Sequence, residues 1–364
     1  MTVYVISFAL NMLFGLSLCI KGNGNYNANE LNVNMVKRRL YLLVTAVQLG
    51  LICGFRSTEM AYDTNAYKLL FDLCPDNWKN IFEESSYVEV GFRVLCSIIK
   101  IYGGDYQTML IITSLFVMGS CCIFIYRHSK DVVLSVFIII SFPFFYSSFD
   151  IIRHFLATAF LLLGYKYVVE RKPIRFLLFI FIGSLFHSIA WLFLPFYFLR
   201  KLKWNRISAG ITAIVTVILY IYIAPVADWI SSMMDKGVES GWIDSFGGGI
   251  KTAIMYGVVL LIAIAAYLLL KDKNEDDASA LSYVVLMFVF SILFINARMM
   301  TRMIMTEVAL IAIAIPQLLD KARTSSHRDH LILKLGFIAI GFIYHAFLLL
   351  SNWQNVIPYI PYWS

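Results

Sequence analysis

The feature that most constrains this chain is its repeated alternation of long apolar runs with short connectors rich in Lys and Arg. A run of about twenty apolar residues is the length at which a helix crosses the hydrocarbon core of a bilayer. Inside lipid only a helix or a closed barrel bonds all its own backbone N–H and C=O groups, so a chain built this way is expected to be all-α. Composition agrees: 60% of residues are hydrophobic and 15% charged, against about 25% charged in soluble domains. The net charge of +7 is an orientation signal. Nineteen of the thirty Lys and Arg fall in six connectors, KGNGNYNANELNVNMVKRR, RHSK, RKPIR, RKLKWNR, KDK and KARTSSHRDHLILK, which the positive-inside rule assigns to the cytoplasm. No nucleic-acid partner is expected.

Spans are expected near residues 3–20, 39–55, 105–126, 132–149, 151–169, 207–224, 251–270, 281–297, 303–319 and 331–350. The first lacks a preceding basic region and a following cleavage site, so it reads as a retained span. Residues 174–199 have basic clusters at both ends, Arg171, Lys172 and Arg175 before, Arg200, Lys201, Lys203 and Arg206 after. One crossing there would put three basic connectors outside, so the segment is expected to be a helical hairpin breaking near His187 and Ser188. The result is a polytopic protein of about 12 transmembrane helices, one transmembrane domain over 1–364, with both termini outside.

This topology puts six segments on the external side: the loop 54–104, the turn 149–153, the His187 turn, the loop 225–250, the turn 296–302 and the tail after Leu350. The loop 54–104 is the longest non-apolar interval and the first candidate for chemistry. Asp63 precedes a helical pattern that stops at Pro75, which suits an N-cap. Glu89, Arg93, Ser97 and Lys100 recur at helical spacing in an otherwise apolar stretch, as in a helix lying along the membrane surface. The loop 225–250 contains GVESGWIDSFGGG, a glycine-rich, acidic stretch that reads as a lid, since no GK[ST] motif accompanies it.

Arg56, Arg153, Arg298 and Arg302 lie at span ends expected to face outward. A guanidinium fork binds two phosphate oxygens and keeps its charge at any pH, which suits a diphosphate; the plainer uses are snorkelling and local pairs such as Asp150 with Arg153. His187, at the hairpin break, is the preferred proton acceptor, with a structural hydrogen bond as its alternative. Glu89 and Asp63 are the carboxylate candidates for that role, their plainer uses being a pair with Arg93 and the helix cap. Glu307 is expected to pair with an arginine; His154 and His345 read as packing residues. Cys74 and Cys96 could meet in the oxidising external space, whereas Cys19, Cys53, Cys121 and Cys122 fall in apolar runs. No spacing of His, Cys and carboxylates fits a metal site and no nucleotide loop is present, so no cofactor is expected.

The order GFR, YDTNAYKLLF, EVGF, RHFLA and FHSIA between Gly54 and Ala190 resembles the EpsG family of Wzy-like polysaccharide polymerases. The resemblance implies an enzyme of the bacterial inner membrane that joins lipid-linked oligosaccharide repeats of O-antigen, capsule or exopolysaccharide on the periplasmic face. Its site residues would be Arg56, Asp63, Tyr67, Glu89, Arg153 and His187, with Tyr67 in substrate binding. Two positions depart from the family pattern: Ala61 stands where Gly is usual before Asp-Thr, and His154 follows Arg153 where Gln is usual.

The activity this implies is glycosyl transfer from undecaprenyl-diphosphate oligosaccharide, the growing chain being donor and a single lipid-linked repeat the acceptor. A flippase and chain-length regulator of the same pathway would be its partners. Trp78, Trp242, Trp353, Tyr359, Tyr362 and Trp363 could stack on sugars or form an interfacial belt. The rival readings are a flippase for the same lipid, an O-antigen ligase and a membrane acyltransferase. A flippase would call for an inverted repeat and charges at the bilayer midplane.

Overall fold

The computed structural model describes residues 1–19, 28–82, 88–199, 202–233, 248–295 and 300–364, with the backbone alone at 28–33, 199, 224, 226–233, 248 and 300. No β-strand occurs among them. In chain order the helices are α1 (Thr2–Cys19), α2 (Ala28–Gly54), α3 (Thr64–Leu73), α4 (Val90–Ile101), α5 (Tyr106–His128), α6 (Val132–Ser141), α7 (Phe144–Ser147), α8 (Ile152–Val169), α9 (Pro173–Ser184), α10 (Phe196–Leu199), α11 (Arg206–Met233), α12 (Gly248–Leu269), α13 (Glu275–Leu293), α14 (Met300–Ser325) and α15 (His327–Leu350), with a 3-10 helix at Ser188–Phe193.

Eight helices in the described residues are long and apolar enough to cross a membrane: α1, α5, α8, α11 to Ile223, α12, α13, α14 and α15. Their outward faces carry large apolar side chains, Leu13, Leu261 and Ile343 among them, each more than 60% exposed. Water would penalise such contiguous apolar surface, whereas lipid accommodates it. The remaining expected crossings take other forms. α2 is 27 residues long, but its first turns are polar and its apolar part begins only at Leu40. The expected span 132–149 is broken into α6 and α7 at Pro143. Proline pushes Phe142 before it into extended backbone (φ −108°, ψ 171°), which a helix cannot continue. Residues 174–199 do break beside His187: α9 ends at Ser184 and the 3-10 helix begins at Ser188.

The chain divides into two compact units, Met1–Tyr197 with His345–Ser364, and Phe198–Tyr344. In the first, α2 and α5 run antiparallel. Near one end Gly54 lies so close to Ile111 that a Cβ would come within 2.9 Å of the Ile111 Cα, and Gln107 donates to the Gly54 carbonyl. At the other end Arg38 donates to the Ser129 carbonyl (2.9 Å) and Arg39 to the Tyr126 hydroxyl (2.7 Å), joining two basic connectors. Small residues at such a crossing let backbones approach where no hydrophobic drive separates helix from lipid. Between α1 and α2, Asn11, Ser7, Thr45 and Gln48 hydrogen-bond one another, which satisfies polar groups that would be costly left bare.

In the second unit α12, α13 and α14 pack together, and Trp204 donates to the Ser282 hydroxyl (2.8 Å). A capping box closes the start of α13, with Asn274 and Asp277 exchanging side-chain bonds. Glu307 differs from expectation. It is fully buried in α14, and among the described residues neither carboxylate oxygen has a hydrogen-bond partner and no arginine pairs with it.

Candidate functional site

Four of the six segments that positive-inside reasoning assigns to one side meet in the first unit: the loop 54–104, the turn 149–153, the His187 turn and the C-terminal tail. The tail is tied to the loop by backbone bonds, Ser57 N–H to the Ile360 carbonyl (2.8 Å), Tyr362 N–H to Phe55 (3.0 Å) and Ala61 N–H to Asn355 (3.0 Å). Tyr359 adds a hydroxyl bond to the Ile52 carbonyl (3.0 Å), and Tyr362 stacks on Phe55. The third of the backbone bonds fixes Ala61 at φ +65°. That left-handed conformation is natural for glycine and costs other residues about 1–2 kcal/mol, which explains in physical terms why Gly suits this position.

Arg56 follows the last turn of α2 under this tail and is 1% exposed. Its Nη1 donates to the Cys53 carbonyl (2.5 Å) and sulfur (3.4 Å), and its guanidinium lies 5.6 Å from the Phe149 ring centre. Nε and Nη2 have no hydrogen-bond partner among the described residues. A buried cation with most of its N–H donors bare is costly unless something else meets it.

The carboxylate beside it is Asp150, which Asp63 neighbours in turn. Asp150, in the turn before α8, is buried, and its Oδ1 accepts the backbone N–H of Asp63 at 2.7 Å. Burial, the largest cause, pushes the Asp150 carboxyl up to about 6; the neighbouring Asp63 charge adds to the rise, while Arg56 and the Asp63 and Tyr62 N–H groups oppose it. Asp63 occupies the N-cap position of α3, but its side chain makes no capping bond and is half-buried beside Asp150. The expected cap is therefore absent. Asp150 is also not simply the local mate of Arg153, because Arg153 forms its ion pair with Glu89 of the loop.

Around that ion pair, the Arg153 guanidinium lies 5.7 Å from the ring centre of Tyr67, and Tyr67 packs edge-on against Phe92 of α4. Glu89 stands at the N-cap of α4 without capping it, leaving its carboxylate for Arg153. The start of α4 is fixed by close approach: Gly91 N–H donates to the Leu185 carbonyl (2.7 Å), and a Cβ there would collide with that oxygen. Two residues on, His187 caps the 3-10 helix, its Nδ1 accepting from Ile189 N–H (3.2 Å), with its ring 5.8 Å from that of His154. The Nδ1 lone pair of His187 is thus engaged, and the neutral ring carries its proton on Nε2.

Sequence reasoning thus names five residues that the fold gathers with His187: Arg56, Asp63, Tyr67, Glu89 and Arg153. It misses Asp150, whose signal was an acid between apolar runs, FDIIRH, treated only as an i,i+3 pair. Arg302 belongs to the second unit, half-buried on α14, and Arg298 lies outside the described residues, as does Trp242. The expectation that the two arginines grip one diphosphate rests on their one-turn spacing. The acidic, glycine-rich stretch 237–247 of the proposed lid also lies outside them, as does most of the loop 225–250. Among the described residues no three His, Cys, Asp or Glu are placed to hold a metal ion.

A family model for EpsG matches residues 39–361, which takes in every residue of this cluster and most of the chain. The chain belongs to the EpsG family. It is a helical membrane protein of a polysaccharide-biosynthesis family. No curated protein and no solved structure matches it.

Proposed function

We propose that this EpsG-family protein is a polysaccharide polymerase, transferring a growing glycan from undecaprenyl diphosphate to the terminal sugar of a lipid-linked repeat. The observation that carries the reading is Arg56, a buried guanidinium whose Nε and Nη2 have no partner among the described residues, at the meeting point of loop, turn and tail. These two N–H groups lie on one edge of the planar fork, the geometry that takes two oxygens of a phosphate. In the reaction an acceptor hydroxyl oxygen bonds to the donor sugar's anomeric carbon, the bond from that carbon to the phosphate oxygen breaks, and undecaprenyl diphosphate departs. Negative charge grows on the leaving diphosphate, and a fixed cation in a water-poor site stabilises it most at that point.

Asp150 takes the acceptor's proton in this reading, in place of His187. Its burial brings its titration close to neutrality, where a general base works best, and Asp63 beside it offers a second carboxylate. His187, with its Nδ1 committed to the backbone, sets the position of the break, and Glu89 holds Arg153 in place over Tyr67. The face carrying this cluster is the periplasmic one in the proposal. Basic connectors at the opposite end of α2 and α5 support that orientation, as does the wide spread of Lys and Arg over the other connectors. The approximately twelve crossings belong to the same reading, with residues 174–199 dipping in and returning.

The test is purified protein with a synthetic undecaprenyl-diphosphate repeat, read by gel and mass spectrometry. A ladder of glycans differing by one repeat, with release of undecaprenyl diphosphate, is expected. Movement of the lipid between leaflets without elongation would make it a flippase. Transfer only to an unrelated acceptor would make it a ligase.

A further inference from the structure

Arg56 is 1% exposed, so the diphosphate of the functional reading reaches its Nε and Nη2 only if a wall around it moves. The last turn of α2, the Phe149 ring and Tyr4 of α1 are walls that packing fixes, with Tyr4 edge-on to Phe149 (6.0 Å) and to Tyr359 of the tail (5.9 Å). The tail is the wall that is not helix. Arg56 and Pro361 pair as an antiparallel bridge, and side chains alternate between the two faces of such a pair. Pro361 therefore shares the inner face with Arg56, while Tyr362, 49% exposed, stacks on Phe55 at the outer one. Tyr359, two residues before Pro361, bonds to the Ile52 carbonyl, next to the Cys53 carbonyl that Arg56 holds.

The tail is held unequally along its length. Residues 352–357 are knotted: the Asn352 side chain accepts the Ile357 N–H (2.7 Å) and donates to the Ile357 carbonyl (2.8 Å), Trp353 donates to Ser147 (3.1 Å), and the Val356 carbonyl accepts from Tyr4 (2.9 Å). Within the knot Asn352, Gln354 and Asn355 are left-handed, at φ +49°, +60° and +52°, a conformation that non-glycine residues keep where their surroundings over-determine it. Residues 358–364 are tied more lightly. The Ile360 carbonyl, the Tyr362 N–H and the Tyr359 hydroxyl bond to Ser57, Phe55 and Ile52, and the Ile360 N–H has the Met60 sulfur (3.0 Å), a weak acceptor. Water replaces such bonds once the segment is lifted. We propose that residues 358–364 are a strap, hinged on the knot at 352–357, that seals Arg56 and lifts to admit the diphosphate. The inference rests on the functional reading of Arg56.

The full-length double variant Ser57→Cys with Ile360→Cys, purified in detergent, tests this. The two positions face each other beside the bridge, on the side away from Arg56. A disulfide between them, verified by peptide mapping, ties the strap down. The readout is the rise in melting temperature that undecaprenyl diphosphate causes, taken against the same sample without it. The reduced variant should show the wild-type rise, the linked variant little or none, and reduction should restore it. An equal rise in linked and reduced protein overturns the strap and leaves the reading of Arg56 standing. No rise in the wild type refutes that reading, and the strap's role with it. Hydrogen exchange on the wild type decides the matter where the link fails to form or the reduced variant fails to bind. Without ligand, the Ser57 and Tyr362 amides, bonded across the bridge, should exchange about tenfold or more faster than the knotted Ile357 amide. Protection as strong as that of Ile357 overturns the strap.

Discussion

Two buried charged side chains, Arg56 in the first unit and Asp277 in the second, are treated in opposite ways. In the second unit Asp277 is fully buried but saturated: it accepts from Lys321, from Gln317 (3.2 Å) and from the Asn274 N–H (2.9 Å). In the first unit Arg56 is about as deeply buried, and two of its nitrogens have no partner among the described residues. A charge whose every bond is made within the protein serves the fold. In the proposed function Arg56, desolvated by folding without completing its bonds, is held ready for the diphosphate that arrives later.

If that contrast is right, changing the two charges should separate activity from stability. Arg56→Lys is expected to cut polymerisation by about 10²- to 10³-fold, the scale of losing one fixed donor set at a developing anion, with thermal stability retained or raised. Full polymer from the lysine variant, measured as ladder length and initial rate, would reduce Arg56 to an anchor. Asp150→Asn should lower the rate by about 10²-fold or more. In the wild type the rate should fall as pH drops through about 6, where burial places the Asp150 carboxyl, and the residual activity of the asparagine variant should lose that inflection.

Stability at Asp150 moves the other way. Its folded carboxyl titrates above the unfolded one, so between the ordinary value of 3.8 and about 6 the folded chain holds a proton that the unfolded chain has released. The stability gained from the protonated form is complete below that window and is lost as pH rises through it. Asp150→Asn, which keeps an oxygen for the Asp63 N–H, should therefore melt higher than wild type above pH 6. A lower melting temperature there would mean the carboxylate itself holds the turn together.

The saturated charge should show the converse. Lys321→Ala strands Asp277 in the interior, and breaking such a pair costs roughly 3–5 kcal/mol, so a large fall in melting temperature is expected with activity per folded molecule preserved. The smallest effect belongs to Ala61→Gly. Relief of the left-handed conformation at φ +65° should raise stability by about 1 kcal/mol, read from a denaturant or thermal midpoint in detergent.

Much of the helical layout is legible in the sequence because its cause is local. Apolar runs of sufficient length become α1, α5, α8 and α12, and the basic clusters around 174–199 foreshadow the break beside His187. Arg56 and Arg153 could be named because charged groups at the ends of spans are costly, Asp63 and Glu89 as carboxylates of the longest non-apolar interval, and Tyr67 through the family resemblance. Their partners could not be named from spacing. Arg153 finds Glu89 across 64 residues, and the tail clamps Ser57 from about 300 residues away. Local rules offered Glu89 to Arg93 and Asp150 to Arg153, and the fold chose longer-range pairs. Pro143 was visible in the sequence, but its effect was lost inside an apolar run long enough to be read as one span.

The most direct test of the account is whether the bare edge of Arg56 receives a diphosphate. Purified wild-type protein in detergent should melt at a higher temperature as undecaprenyl diphosphate is added, the shift growing with concentration as expected for a ligand of the folded state. Undecaprenol, which lacks the phosphates, should give no such shift, and Arg56→Lys should lose most of it while remaining folded. Equal stabilisation of wild type and Arg56→Lys by undecaprenyl diphosphate would contradict the central claim.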